Sequence, residues 1–182
     1  MSYTEIYKFN KKGDAEFLDE VKNSFRGAMA IWIILEKKYL PKYVPTWAMG
    51  DTSKEYSRTS DFMGGGLKEI WGLFESDKVS EVDKLVLGTT FDKVIVKKED
   101  LENVVKAFRE FEGETSLKEQ ADIIEKALKE DEDLIAIAWN QTSVNSGVWE
   151  SDSGEEDEDG NQLPYNILNS DKHWDLFEDL KK

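Results

Sequence analysis

The sequence predicts a single α+β domain, residues 1–182, in which helices pack on a small, mostly antiparallel sheet. Three observations lead there. Several stretches repeat apolar residues at spacings of three and four, as helices with one buried face do. Short β-branched or alternating apolar runs fall between them and read as strands. The 182 residues are 39% apolar, with six Trp, nine Phe and six Tyr, enough for one core, and no repeat or linker divides them.

The elements follow in order. Thr4 to Phe9 alternates and reads as a strand, and Asn10-Lys11-Lys12-Gly13 reads as a turn. Asp14 then caps the longest expected helix, about 14–40. Its stripe is Phe17, Leu18, Val21, Phe25, Ala28, Met29, Trp32, Leu35 and Tyr39, and Pro41 and Pro45 end it. Residues 41–65 read as a long loop of the kind that often carries function. Helices are expected from Leu67 to Phe74 and from Ser80 to Leu87. Asp92 to Val96 reads as a strand.

Glu99 to Phe111 repeats Leu101, Val104, Val105, Phe108 and Phe111 on one side and ends at Gly113. Ser116 and Glu119 have capping-box spacing for a helix to Lys129. Leu134 to Trp139 reads as a buried strand. Val148-Trp149 and residues 162–166 read as two arms flanking an acidic loop or hairpin at about 150–161, with Asp159-Gly160 near its tip. Asp171 starts a terminal helix carrying Trp174, Leu176, Phe177 and Leu180.

Charge is the most unusual feature. The formal net charge is −15. Residues 1–91 carry 14 acidic and 13 basic side chains, while residues 92–182 carry 25 and 11. The excess gathers in three clusters. One runs from Glu150 to Asp159, a second is Glu130-Asp131-Glu132-Asp133, and a third is Asp171, Asp175, Glu178 and Asp179. Such runs commonly serve as solvated surface. They also suit a surface that attracts a basic protein.

The composition argues against several classes. A chain this acidic lacks the basic face that direct nucleic-acid binding needs, and an anionic membrane would repel it. The absence of Cys removes disulfides, thiolate metal sites and a Cys nucleophile, and a single His removes a multi-His site. No apolar run approaches the ~20 residues that span a bilayer, and the N-terminus does not read as a signal peptide. The expectation is a protein of the cytoplasm.

Chemistry-bearing motifs are few. Gly64-Gly65-Gly66-Leu67-Lys68 lacks the full phosphate-loop pattern and reads as a helix lead-in. Residues 155–160 briefly suggest a calcium loop, but the position of the bidentate Glu holds Asn166. His173 suits a surface or capping role. Arg26, Arg58 and Arg109 do not read as a phosphate-binding cluster. Abundant carboxylates permit an acid pair of glycosidase type, as in any acidic chain. No catalytic residue, cofactor or metal is expected. Asn140 to Gly147 is an uncharged hydrogen-bonding loop between Trp139 and Trp149. It reads as a structural turn or as a binding loop beside the acidic run. The expected contact residues are therefore Glu150, Asp152, Glu155, Glu156, Asp157, Glu158 and Asp159, with Asn140, Gln141, Asn145 and Trp149 alongside.

Four segments carry a resemblance: Met1 to Tyr7 (MSYTEIY), Arg26 to Trp32 (RGAMAIW), Gly113 to Gln120 (GETSLKEQ) and Ala138 to Asn145 (AWNQTSVN). Over most of the chain they resemble a family of small acidic proteins from phages, plasmids and genomes of Gram-positive bacteria. The family is associated with type II anti-CRISPR proteins, the inhibitors of Cas9. The resemblance implies a non-enzymatic protein that binds Cas9 or its guide-RNA complex and blocks DNA recognition or cleavage. It transfers no active site. The alternative is an immunity protein that neutralises a cognate toxin, which also needs an acidic α+β domain. An enzyme using carboxylates ranks third.

Overall fold

A computed structural model describes residues 2–40, 70–142, 149 and 156–180. The first strand, β1 (Tyr3–Phe9), turns at Asn10–Gly13 and returns as β2 (Ala15–Lys22). Gly13 sits at φ +87°, where an L side chain is strained. A Cβ there would lie 2.7 Å from Asn166 Oδ1 and from Leu168 Cγ, so the turn requires glycine. Helix α1 (Ala28–Tyr39) follows, then α2 (Glu81–Gly88), β3 (Val94–Lys97) and a 3₁₀ turn at Lys98–Asp100. Helices α3 (Leu101–Glu110) and α4 (Leu117–Glu130) lead to β4 (Ala136–Gln141). The chain ends with β5 (Trp174–Asp175) and α5 (Leu176–Leu180).

The five strands lie in the order β2-β1-β4-β3-β5. Every pairing is antiparallel except β3 with β5. This is the predicted α+β class with a mostly antiparallel sheet. Strand alternation sorts side chains onto two faces. Ile6, Val94, Val96, Ile137 and Trp139 join the core cluster that also holds the buried stripes of the helices. Tyr7, Phe9, Ile95, Ala136 and Ala138 point the other way and are covered by Trp149 and Tyr165.

The helix expected over 14–40 is corrected. Its first third is the edge strand β2, and the helix begins only at Ala28. The cause is a bulge. Tyr7 pairs with Phe17 and Ile6 with Asp19, so Leu18 is an extra residue in β2. The bulge spaces Ala15, Leu18 and Val21 by three, which imitates a helix in the sequence. Ser24 and Phe25 then take positive φ (39° and 68°), which no helix accommodates.

Three smaller corrections follow. The capping box is not formed: Ser116 Oγ accepts from Gln120 Nε2 at 3.0 Å, and Glu119 reaches away to Arg26 at 2.6 Å. Trp174, expected in the terminal helix, is in β5. Of the helix expected over Leu67–Phe74, residues 70–72 are helical and 67–69 lie outside the described residues, as does the expected loop at 41–65. Helix α2 begins as expected, with Ser80 Oγ accepting from Asp83 N–H.

Two polar devices hold α1. Trp32 Nε1 donates to Thr90 Oγ1 at 2.9 Å, joining α1 to the end of α2. Lys38 Nζ and Tyr39 Oη both reach Asp83 Oδ2, at 2.7 and 2.5 Å. Burial alone would raise the Asp83 pKa, but these bonds and the Ser80 cap outweigh it and hold the group below its ordinary value. Glu36, one turn before Leu40, is treated differently. It is fully buried and neither carboxyl oxygen has a hydrogen-bond partner among the described residues.

Candidate partner-binding surface

The acidic clusters differ in what their charges do. In the second cluster, Asp131 lies 2.5 Å from Lys8, which also bonds Glu16 at 3.2 Å, and Asp133 pairs with Lys11 at 2.9 Å. The Lys8 hydrogen bond holds Asp131 below its ordinary pKa. In the third cluster, Asp175 and Glu178 share Lys97 at 2.9 and 2.7 Å. The carboxylate bonds raise the Lys97 pKa well above its usual value. These two clusters therefore spend much of their charge on cations of the same chain.

The described part of the first cluster is a tongue, residues 156–161. Its arms meet where Tyr165 N–H donates to Trp149 O at 3.1 Å and where Glu156 bridges Gln162. Its base is tied to the β1–β2 turn. Ala15 N–H donates to Tyr165 O at 2.8 Å, and Asn166 Nδ2 donates to Asp14 Oδ1 at 2.7 Å. The tip closes around Asp157. Its Oδ1 accepts from the backbone N–H of Asp159 (2.9 Å) and Asn161 (2.8 Å), and Asn161 Nδ2 lies 3.0 Å from Oδ2. The Asn161 side chain and these amides hold Asp157 below the usual carboxylate pKa. Gly160, at φ +80°, completes the turn.

Asp157 thus shapes the turn. Glu156, Glu158 and Asp159 stand exposed with no ion pair among the described residues. Glu150, Asp152, Glu155 and Asn145, also expected at the contact, lie outside the described residues.

Of the other expected contact residues, Trp149 and Gln141 are used inside the fold, which corrects their assignment as exposed contacts, and Asn140 is buried against Glu5. Trp149 is 1% exposed. Its ring stands edge-on to Phe9 and Tyr165 at 5.5 and 5.1 Å, and Nε1 donates to Trp139 O. Gln141 is buried and accepts from Thr4 Oγ1 at 2.7 Å. Asn140 is buried too, and its Nδ2 donates to Glu5 Oε2 at 2.6 Å. Polarity and position at a strand end suggested a binding loop. Strand β4 instead runs through Gln141, so both amides serve the sheet. Sequence reasoning did not single out Glu5 or Glu20, although β1's alternation places Glu5 on the face of Tyr7 and Phe9.

His173 packs against Tyr165, whose hydroxyl lies 2.9 Å from Nδ1, and burial lowers its pKa. Arg26 pairs with Glu119, and Arg109 bridges Asp122 and Glu125 to pin α3 to α4. Arg58 and Gly64–Lys68 lie outside the described residues. Among the described residues, no three potential metal ligands cluster, and no helix is long and apolar enough to cross a membrane. No family model, curated protein or solved structure matches the chain.

Proposed function

We propose that the protein is a non-enzymatic inhibitor that binds a basic, nucleic-acid-handling defence enzyme in the cytoplasm of a bacterial host. Following the resemblance of its four segments, the target is Cas9 or its guide-RNA complex, and the outcome is blocked DNA recognition or cleavage. One observation carries the reading. The tongue presents Glu156, Glu158 and Asp159 on a stiffened turn with no ion pair among the described residues, whereas much of the charge of the other two clusters is met by Lys8, Lys11 and Lys97. Cas9 holds its nucleic acids in a positively charged channel and reads its short DNA signal through arginines. Carboxylates projecting from a fixed turn compete for those cations with little ordering cost.

The test is target cleavage by several Cas9 orthologues with the inhibitor in excess. Suppressed cutting, weakened in the triple variant Glu156→Gln, Glu158→Gln, Asp159→Asn and less salt-dependent there, is the expected result. Full cutting by every orthologue overturns the Cas9 assignment. Co-purification with a basic toxin instead would move the reading to an immunity protein.

A further inference from the structure

The second candidate contact lies on the sheet face that also carries Tyr7, toward the edge strand β2, where Phe17 is exposed. Glu5 occupies its centre. In the pairing registers Glu5 stands opposite Glu20 of β2 on one side and opposite Asn140 of β4 on the other. Cross-strand neighbours have Cβ atoms close enough to interact, and like charges directly opposite are unfavourable. Among the described residues no cation forms an ion pair with either carboxylate, Lys22 two residues along β2 included. Glu5 Oε2 takes the Asn140 amide and lies 3.3 Å from the Tyr7 hydroxyl, while Oε1 has no partner among the described residues.

Asn140 supplies an independent sign. It is 3% exposed, and with Nδ2 fixed on Glu5 its Oδ1 is left buried and without a hydrogen-bond partner among the described residues. Buried acceptors are normally satisfied. An aromatic wall adjoins the acceptors. Phe17 is 52% exposed and stands edge-on to Tyr7 at 5.8 Å, on the same face as Glu5.

We propose that this patch receives an arginine side chain of the protein partner. A guanidinium presents several N–H donors in one plane and stacks on aromatic rings. Glu5 and Glu20 would supply the counter-charge, Asn140 Oδ1 a further acceptor, and Phe17 the stacking surface. The partner class rests on the function proposed above, but the patch can be tested without Cas9.

The probe is a hexa-arginine peptide at about 0.15 M salt, where diffuse attraction is largely screened. Backbone amide shifts of Glu5, Tyr7 and Phe17 should move on titration. Glu20→Lys places an internal cation opposite Glu5 and should reduce peptide affinity about tenfold, with an unchanged or higher melting temperature. Glu132→Lys makes the same charge change at an exposed position with no ion pair among the described residues and should cost under about threefold. Glu5→Gln should reproduce the loss seen in Glu20→Lys. Equal losses in Glu20→Lys and Glu132→Lys, shifts confined to residues 156–161, or no binding by the unmodified protein each overturn the proposal. If the peptide behaves as expected and Cas9 cleavage is untouched, the patch stands and the Cas9 assignment falls. If Cas9 is inhibited equally by the unmodified protein and by Glu20→Lys, the patch falls and the assignment stands.

Discussion

Replacing Glu36 with glutamine should make the protein more stable at neutral and alkaline pH, and not at acid pH. Glu36 is fully buried in α1, and neither carboxyl oxygen has a partner among the described residues. Ionising such a group takes a charge out of water without compensation. Burial accordingly pushes its pKa from an ordinary 4.5 up to about 7. Between those values the folded chain keeps a proton that the unfolded chain has lost. Stability associated with Glu36 is therefore fully present below pH 4.5, falls as pH rises, and levels off above about pH 7. At 1.36 kcal/mol per pH unit, the loss across the window is about 3 kcal/mol. Glutamine has nearly the same shape and never ionises. The Glu36→Gln advantage should thus grow to about 2–3 kcal/mol at pH 8, a rise of roughly 4–12 °C in melting temperature for a chain of this size. Urea unfolding followed by tryptophan fluorescence, run on both proteins from pH 4.5 to 8, measures it. The difference between the proteins is the relevant quantity, because repulsion among the other acids is common to both. A difference that does not change with pH, or a less stable variant at pH 8, refutes the reasoning.

Three further substitutions probe the tongue and its base. Trp149→Ala removes a buried ring and its bond to Trp139 O, and should cost about 3–5 kcal/mol in denaturant unfolding. An exposed contact residue would leave stability within about 0.5 kcal/mol. Asp157→Asn weakens the acceptor for two backbone amides, so hydrogen exchange at Asp159 and Asn161 should accelerate while global unfolding changes little. Gly13→Ala forces a Cβ against Asn166 and Leu168 at positive φ. It should lower stability by about 1–3 kcal/mol by thermal melting, with the protection of Ile167 N–H falling in parallel.

The legible part of the fold was the part governed by local periodicity. Leu101 to Phe108 and the 117–130 stretch announced their helices because their apolar residues meet one core face without interruption. The β-branched run at 94–96 announced a central strand for a similar reason. Residues 15–22 misled because a bulge shifts one strand against its partner, and a bulge is a property of two strands together. Trp174-Asp175 misled because two residues of parallel pairing leave no period to read. At the candidate surface, the exposure of 156–159 followed from composition. The burial of Asn140 and Gln141 did not, since an amide in β4 is polar in the sequence whether it meets solvent, Glu5 or Thr4.

The same distinction applies to charge. A net charge of −15 is a sum, and a sum does not separate a carboxylate bonded to Lys8 from one facing water. Screening makes distant exposed charges weak, so recognition by a basic partner depends on carboxylates that are unpaired and held in place. Two places in the described chain meet that condition by different means. The tongue uses a turn closed by Asp157, which keeps Glu156, Glu158 and Asp159 outside the fold. The sheet face uses strand register, which sets Glu5 against Glu20 and fixes Glu5 through Asn140. The tongue should govern how fast a basic partner arrives and how strongly salt opposes it, as rim charges do. The sheet patch, partly buried and with an aromatic wall, should govern how slowly the partner leaves. Stopped-flow binding of the tongue triple variant and of Glu5→Gln separates the two roles. The triple variant should lower the association rate and its salt dependence, and Glu5→Gln should raise the dissociation rate. A change in association rate alone for both variants would reduce the two surfaces to one diffuse field.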